Sequence, residues 1–291
     1  MIHFGGLTGN DILLKNSRFV VVPLPYDKTA SFQKGTAKGP EAIIEASAQV
    51  ELLDEELEVE TYKSGIHTLA PFDISGSPEE MIEKILPVYR KYLAMNKILV
   101  GLGGEHSVSY APIKAYHEKY PNLSVLQFDA HADLRDGYEG EKFSHAAVMR
   151  RVSEFCKNIT QVGIRNYSAE EIPLVKQKKH IHTFLWHKTL PLKKYHDEII
   201  NTLTDEVYVT IDTDGFDPAV LPGTGTPEPG GLSWLQVTSL LRDVAEKKKI
   251  VGFDITELMP LPYNKMSEFI CAKLIYRLMG YSNLSLGFTP K

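Results

Sequence analysis

Short apolar runs and amphipathic stretches alternate along the whole chain. Residues 18–22 (Arg-Phe-Val-Val-Val) form a continuous apolar run stopped by Pro23 and Pro25, as expected of a strand buried on both faces. Similar runs at 98–102, 123–128, 161–164, 181–184, 206–211, 250–255 and 284–288 predict further strands. Between them, apolar residues recur at helical spacing. The predicted helices cover 40–53, 79–95, 108–119, 145–155 capped by Ser144, 168–178 capped by Ser168, 192–203, 233–249 and 266–279. Pro40 suits a first helical turn, whereas Pro87 is expected to kink or split its helix. Segments 134–143 and 215–231 are loops, the second too rich in Pro and Gly for regular structure. Strand, loop and helix thus repeat without a linker or internal repeat. The pattern predicts one α/β domain over 1–291, a three-layer α/β/α sandwich with a mostly parallel central sheet.

Polar chemistry gathers where the strands end. The run at 123–128 leads into Asp129, His131 and Asp133, which alternate at i, i+2 and i+4, so an extended backbone points all three the same way. Asp212 and Asp214 repeat this spacing after the strand at 206–211, and His106 follows the Gly103-Gly104 turn after 98–102. Arg165 and Glu257 also follow strands. In a parallel sheet, ligands bind beyond the carboxyl ends of the strands, so these residues are expected on one rim. Carboxylates brought together repel, and a metal ion relieves that repulsion. His106, Asp129, His131, Asp133, Asp212 and Asp214 are therefore the candidate ligands. Four carboxylates balance two divalent cations. Oxygen-rich ligation with some imidazole suits two Mn²⁺ ions better than a structural Zn²⁺. Two such ions can lower the pKa of a shared water, which points to a hydrolase.

Composition narrows the classes. A net charge of −5 with no basic stripe argues against nucleic acid. No apolar run reaches a membrane span, and Met1 to Gly6 lack a basic segment followed by an apolar one, so a cytoplasmic chain is expected. Cys156 and Cys271 lie far apart and fit a reducing compartment as small buried residues. His180, His182 and His187 are close in sequence but have no acids beside them, and are expected as strand and surface histidines.

The motifs also carry a resemblance. Gly103-Gly104-Glu105-His106-Ser107, Phe128-Asp129-Ala130-His131-Ala132-Asp133 and the segment 210–218 resemble the three metal-binding signatures of the ureohydrolases, the arginase and agmatinase superfamily. The loop 222–232 and the segment 253–260 are similar to that family's later active-site segments, in the same order. The resemblance implies two Mn²⁺ per subunit. His106, Asp129, Asp133 and Asp212 would hold the first, and Asp129, His131, Asp212 and Asp214 the second. It implies hydrolysis of a guanidinium to urea and an amine by a metal-bridging hydroxide. Asp133 would pass a proton to the leaving amine, Glu257 orient the guanidinium, and His145 shuttle protons or contact substrate. It also implies a homo-oligomer, a trimer or hexamer. A non-catalytic member would be expected to lack a ligand or Glu257, and neither is missing.

The substrate is the less determined part. The loop 134–144 has no Asn and several acids, which suits a cationic substrate end, and 144–151 and 163–171 resemble prokaryotic agmatinase. The reading is agmatine, cleaved to putrescine and urea. Arg135 and Lys142 in the same loop, or Arg165, would instead suit a carboxylate-bearing guanidine such as guanidinobutyrate, guanidinopropionate or arginine. Which of Glu139, Glu141, Glu170 and Glu171 faces the pocket is open at this level.

Overall fold

The computed structural model describes residues 2–177 and 179–290. Among the described residues eight strands form one sheet: β1 (Phe19–Leu24), β2 (Ile66–Thr68), β3 (Ile98–Gly103), β4 (Ser124–Phe128), β5 (Ile159–Ile164), β6 (Ile181–Leu185), β7 (Glu206–Asp212) and β8 (Lys249–Thr256). Their order is β2-β1-β3-β8-β7-β4-β5-β6. Every pairing is parallel. The helices are α1 (Gly39–Ser47), α2 (Pro78–Ala94), α3 (Tyr110–Lys119), α4 (Val148–Ser153), α5 (Ile172–Gln177), α6 (His196–Asn201), α7 (Trp234–Lys247) and α8 (Met266–Ser285).

Alternation along each strand builds two cores. Val21, Val100, Leu126, Val209 and Phe253 face one side and pack with apolar residues of α1, α6, α7 and α8. Val20, Val22, Leu99, Val125 and Tyr208 face the other and pack with α2, α3, α4 and α5. Successive side chains point to opposite faces of a strand, so a run apolar at every position requires cover on both. This is the three-layer arrangement expected, with a sheet wholly rather than mostly parallel.

The chain passes from β3 to β4 before β7 and β8 enter between them. The carboxyl ends of β3, β8, β7 and β4 are therefore neighbours at the centre of the sheet. That topology brings together loops more than a hundred residues apart in sequence.

Several boundaries differ from the sequence expectation. No strand forms at 284–288: α8 runs on to Ser285. Ser282 Oγ donates to Ile250 O, Asn283 Nδ2 donates to Ser64 Oγ, and the helix closes at Gly287, whose φ of +64° suits a left-handed cap. The apolar alternation there imitates a strand, but it lies on a helix already anchored to β8. Pro87 does not break α2, which continues through it. Pro87 and Glu83 are exposed, so the carbonyl freed four residues back is open to water. Helix α1 ends at Ser47 and not near Leu53, where the Ser47 hydroxyl turns onto Ile44 O and accepts from Gly5 N. Ser144 does not cap α4. Its hydroxyl is buried without a hydrogen bond, and a 3-10 turn (His145–Ala147) precedes the short helix. Ser168 caps as expected, with Glu171 in a reciprocal pair. The expected helix end at Lys178 lies outside the described residues. The three-residue edge strand β2 had no recognisable signal. Cys156 and Cys271 are free and buried, and burial pushes both thiols up. No helix among the described residues is long and apolar enough to cross a membrane.

Candidate active site

The site begins at a crowded turn. After β3, Gly104 N donates to Leu24 O at 2.8 Å and Glu105 N to Tyr26 O at 2.7 Å. A Cβ on Gly104 would lie 1.8 Å from Tyr26 O, so only glycine fits. Gly104 O in turn accepts from Glu257 N, and Glu257 Oε1 accepts from His106 N, both at 2.7 Å. The turn thus ties the ends of β1, β3 and β8 together and sets His106 beside Glu257.

His106 Nδ1 faces three carboxylates. It lies 3.1 Å from Asp129 Oδ2, 3.0 Å from Asp133 Oδ2 and 3.3 Å from Asp212 Oδ2. This nitrogen is buried, and none of the three is aligned as its hydrogen-bond partner. The ring's other nitrogen, Nε2, is 2.9 Å from Thr210 Oγ1, and that hydroxyl donates to buried Asp254 Oδ1 at 2.6 Å. With its single proton directed at Asp254, the Thr210 oxygen accepts from Nε2–H, which turns Nδ1 toward the carboxylates as the nitrogen available to a cation.

A second group adjoins the first. His131 Nδ1 is 2.9 Å from Asp214 Oδ2 and 3.7 Å from Asp129 Oδ1. Ligand atoms of His106, Asp129 and Asp212 fall within 4.8 Å of one another, as do those of Asp129, His131 and Asp214. Asp129 belongs to both groups. It is oriented by His131 N at 2.6 Å and by Gln127 Nε2 at 2.7 Å, and Gln127 is held by Gln161. Asp212 Oδ1 accepts from Asp214 N, and Asp214 Oδ1 from Ala130 N. Asp133 and Glu257 adopt left-handed backbone, φ +53° and +62°. Residues other than glycine are uncommon there and collect at functional sites.

The electrostatics are strained. Burial and then the neighbouring carboxylates raise Asp129 from 3.8 to about 7. Burial and Asp214 raise Asp212 well above its ordinary value. Burial opposes charge on His106 and His131, yet the surrounding carboxylates hold both well above the usual histidine range. Asp214 goes the other way: burial would raise it, but His131 and the Ala130 N–H hold it below the usual carboxylate range. Burial and Glu105 raise Glu257. An orphaned imidazole nitrogen among buried, mutually repelling carboxylates is the donor set of a cation site. The residues present fit a pair of divalent ions.

Beside the cluster lies a cleft of about 230 Å³. His145 and Glu257 line it together with His106, His131, Asp133, Asp212 and Asp214. All eight positions singled out in the sequence for metal or catalysis thus gather here, seven lining the cleft and Asp129 buried within the cluster. Arg165 does not face the cleft. Its guanidinium donates to backbone carbonyls of Asp214 (2.7 Å) and Glu228 (2.9 Å), clamping the loop after β7. Of the loop acids, Glu170 pairs with Arg135 and Glu171 caps Ser168 and Leu134, while Glu139 is exposed. The acid that lines the cleft instead is Glu228, with Arg135, Tyr138 and Asn166. In the sequence Glu228 is one residue of the loop 222–232, and nothing in its neighbours marks it. His182 sits on β6, and His180 and His187 are exposed.

With that geometry in view, the chain compares closely with known proteins. A sequence model of the Arginase family matches residues 17–280. The chain is 39% identical over 270 residues to N(1)-aminopropylagmatine ureohydrolase of Synechocystis sp., covering 90% of this chain and 88% of that protein. It is 37% identical over 286 residues to the protein of the same name from Thermus thermophilus, covering 97% and 96%. Among solved structures, agmatine ureohydrolase of Thermoplasma volcanium superposes with a TM-score of 0.87 at 28% identity, covering 99% of this chain and 96% of that one.

Proposed function

Because the chain belongs to the arginase family and is a ureohydrolase of the agmatinase type, we propose that it hydrolyses agmatine to putrescine and urea. The observation that carries this reading is one cleft lined by both the cation-holding cluster and Glu257. His106, Asp129, Asp133 and Asp212 would hold one Mn²⁺, and Asp129, His131, Asp212 and Asp214 the other. Bound there, the ions supply Lewis acidity that makes a water nucleophilic at neutral pH. Glu257 receives the planar guanidinium with charge-assisted hydrogen bonds and orients its carbon toward the cluster. A guanidinium is a poor electrophile and an amine a poor leaving group, so the departing nitrogen needs a proton. Asp133 would deliver it, and His145, which lines the same cleft, would exchange protons with solvent.

Glu228 supports a cationic far end. Once the cluster and Glu257 are assigned, it is the remaining carboxylate lining the cleft among the described residues; its side chain is 29% exposed, and its Oε1 accepts from Asn166 Nδ2. Arg135, a cation lining the same cleft, is occupied by Glu170 at 3.0 Å. That arrangement favours an ammonium over a carboxylate. A second reading, agmatine bearing an N1-aminopropyl group, is favoured by the names of the two relatives above. Homo-oligomeric assembly belongs to the same proposal and is read from mass in solution.

The test is urea release by the Mn²⁺-loaded protein from agmatine, N1-aminopropylagmatine, arginine and guanidinobutyrate side by side. Preference for either cationic-armed compound supports the reading and chooses between its two forms. Preference for arginine or guanidinobutyrate overturns the assignment of Glu228. No urea from any of them overturns the function.

A further inference from the structure

Glu105, buried at 0% exposure, is not directed at the metal cluster. Its carboxylate accepts from Thr29 N and from Thr29 Oγ1, both at 2.6 Å, and from the Ser107 hydroxyl. Thr29 Oγ1 also lies 3.1 Å from His145 N and 3.2 Å from His145 Nδ1. Thr29 stands in the loop after β1, more than a hundred residues from His145, and the two meet only because that loop folds over the ends of β3 and β4.

Donor counting settles the arrangement. A threonine hydroxyl has one proton and two acceptor lone pairs. A carboxylate can only accept, so the Thr29 proton points at Glu105. The oxygen is then left to accept, from the His145 backbone N–H and from the ring. The ring can satisfy it only as the Nδ1–H tautomer, which leaves the Nε2 lone pair for the cleft that His145 lines. Tyr138 packs edge-on against the imidazole, ring centres 5.8 Å apart at 82°, and restrains its rotation.

We propose that Thr29, anchored by Glu105, is a positioning residue that holds His145 as the Nδ1–H tautomer with Nε2 free in the cleft. This deepens the reading above: Nε2 can take a proton from solvent and release it into the cleft, the exchange assigned to His145 there. The neutral hydroxyl sets which nitrogen is basic, the task more often given to a carboxylate or carbonyl partner.

A double-mutant cycle with Thr29→Val and His145→Ala tests it, scored by kcat, KM and metal content of the Mn²⁺-loaded protein. Thr29→Val should lower kcat about tenfold, a fraction of the 10²–10⁴ range for acid–base groups, with KM and metal content little changed. Thr29→Ser should restore kcat, and in the His145→Ala background Thr29→Val should cost nothing further. Additive losses, or Thr29→Ser as impaired as Thr29→Val, would overturn the proposal, because the methyl's packing would then be the cause. A long-range ¹H–¹⁵N spectrum of the imidazoles, recorded without paramagnetic ions, reads the tautomer independently of turnover. Nδ1–H at His145, lost in Thr29→Val, is the expected result; Nε2–H in the unsubstituted protein overturns it, even if the enzyme acts on agmatine as proposed.

Discussion

Removing divalent cations should destabilise the protein, and more so as pH rises. Asp129 is fully buried, and without an ion its carboxyl is raised from 3.8 to about 7 by desolvation and then by Asp133 and Asp214. That rise corresponds to roughly 4 kcal/mol at about 1.4 kcal/mol per pH unit. A group raised in the folded state contributes stability that is full below its unfolded value and is lost as pH rises through the folded one. Asp212, His106 and His131 are also raised, so they act in the same direction. Asp214 is lowered and acts oppositely, but its contribution is lost only in the acid range. From Asp129 alone the metal-free protein therefore loses stability between about pH 4 and about pH 7, and the two raised histidines carry the loss to higher pH. A divalent ion takes the place of the protons, so its stabilising effect grows over the same interval. At about 100 times the dissociation constant, one ion adds roughly 2.7 kcal/mol, or about 4–5 °C for a chain of this size. The assay is thermal melting of chelator-treated protein with and without excess Mn²⁺, at about pH 6 and about pH 8. The gap in Tm should be several degrees wider at the higher pH. A Tm indifferent to Mn²⁺ at both values, or a gap that narrows as pH rises, would refute the argument.

Three substitutions probe separate parts of the site. Glu257→Gln keeps an oxygen for His106 N but loses the charge facing the guanidinium; urea release should fall roughly a hundredfold, about 3 kcal/mol, with metal content unchanged by atomic absorption. If metal content falls as far as activity, Glu257 has a structural role. Glu228→Gln should raise KM for agmatine about tenfold while sparing kcat, and should not harm whatever turnover of guanidinobutyrate exists; equal losses on both would remove it from substrate recognition. Gly104→Ala places a Cβ 1.8 Å from Tyr26 O, and should cost more than about 3 kcal/mol in urea unfolding or prevent soluble expression; a wild-type unfolding midpoint would show that the turn relaxes freely.

Much of this molecule was legible in one dimension, for identifiable reasons. Apolar runs such as those of β1 and β7 can be satisfied only by burial on both faces, so they dictated a parallel sheet between helical layers. Asp129, His131 and Asp133, with Asp212 and Asp214, stood out because alternate residues of an extended segment share a face, which ties spacing directly to convergence. Boundaries were less legible at Ser47, Ser144 and 284–288, because side chains such as Ser47 and Asn283 end or extend a helix through partners distant in sequence.

What only the tertiary structure decided were relations between separate loops. The strand order sets β8 and β7 between β3 and β4, and that crossover brings His106, Glu257, Asp212 and Asp129 to one point. The Nδ1 orientation of His106 comes from Thr210 and Asp254 on two neighbouring strands. The approach of Thr29 to His145, and the presence in the cleft of Glu228 and not of the acids that follow Asp133 in sequence, likewise follow from loops packing across the sheet end. Local spacing determines which groups a segment can present together. Which segments meet is set by how the sheet buries its two faces, and one loop's sequence holds no record of its neighbours in space.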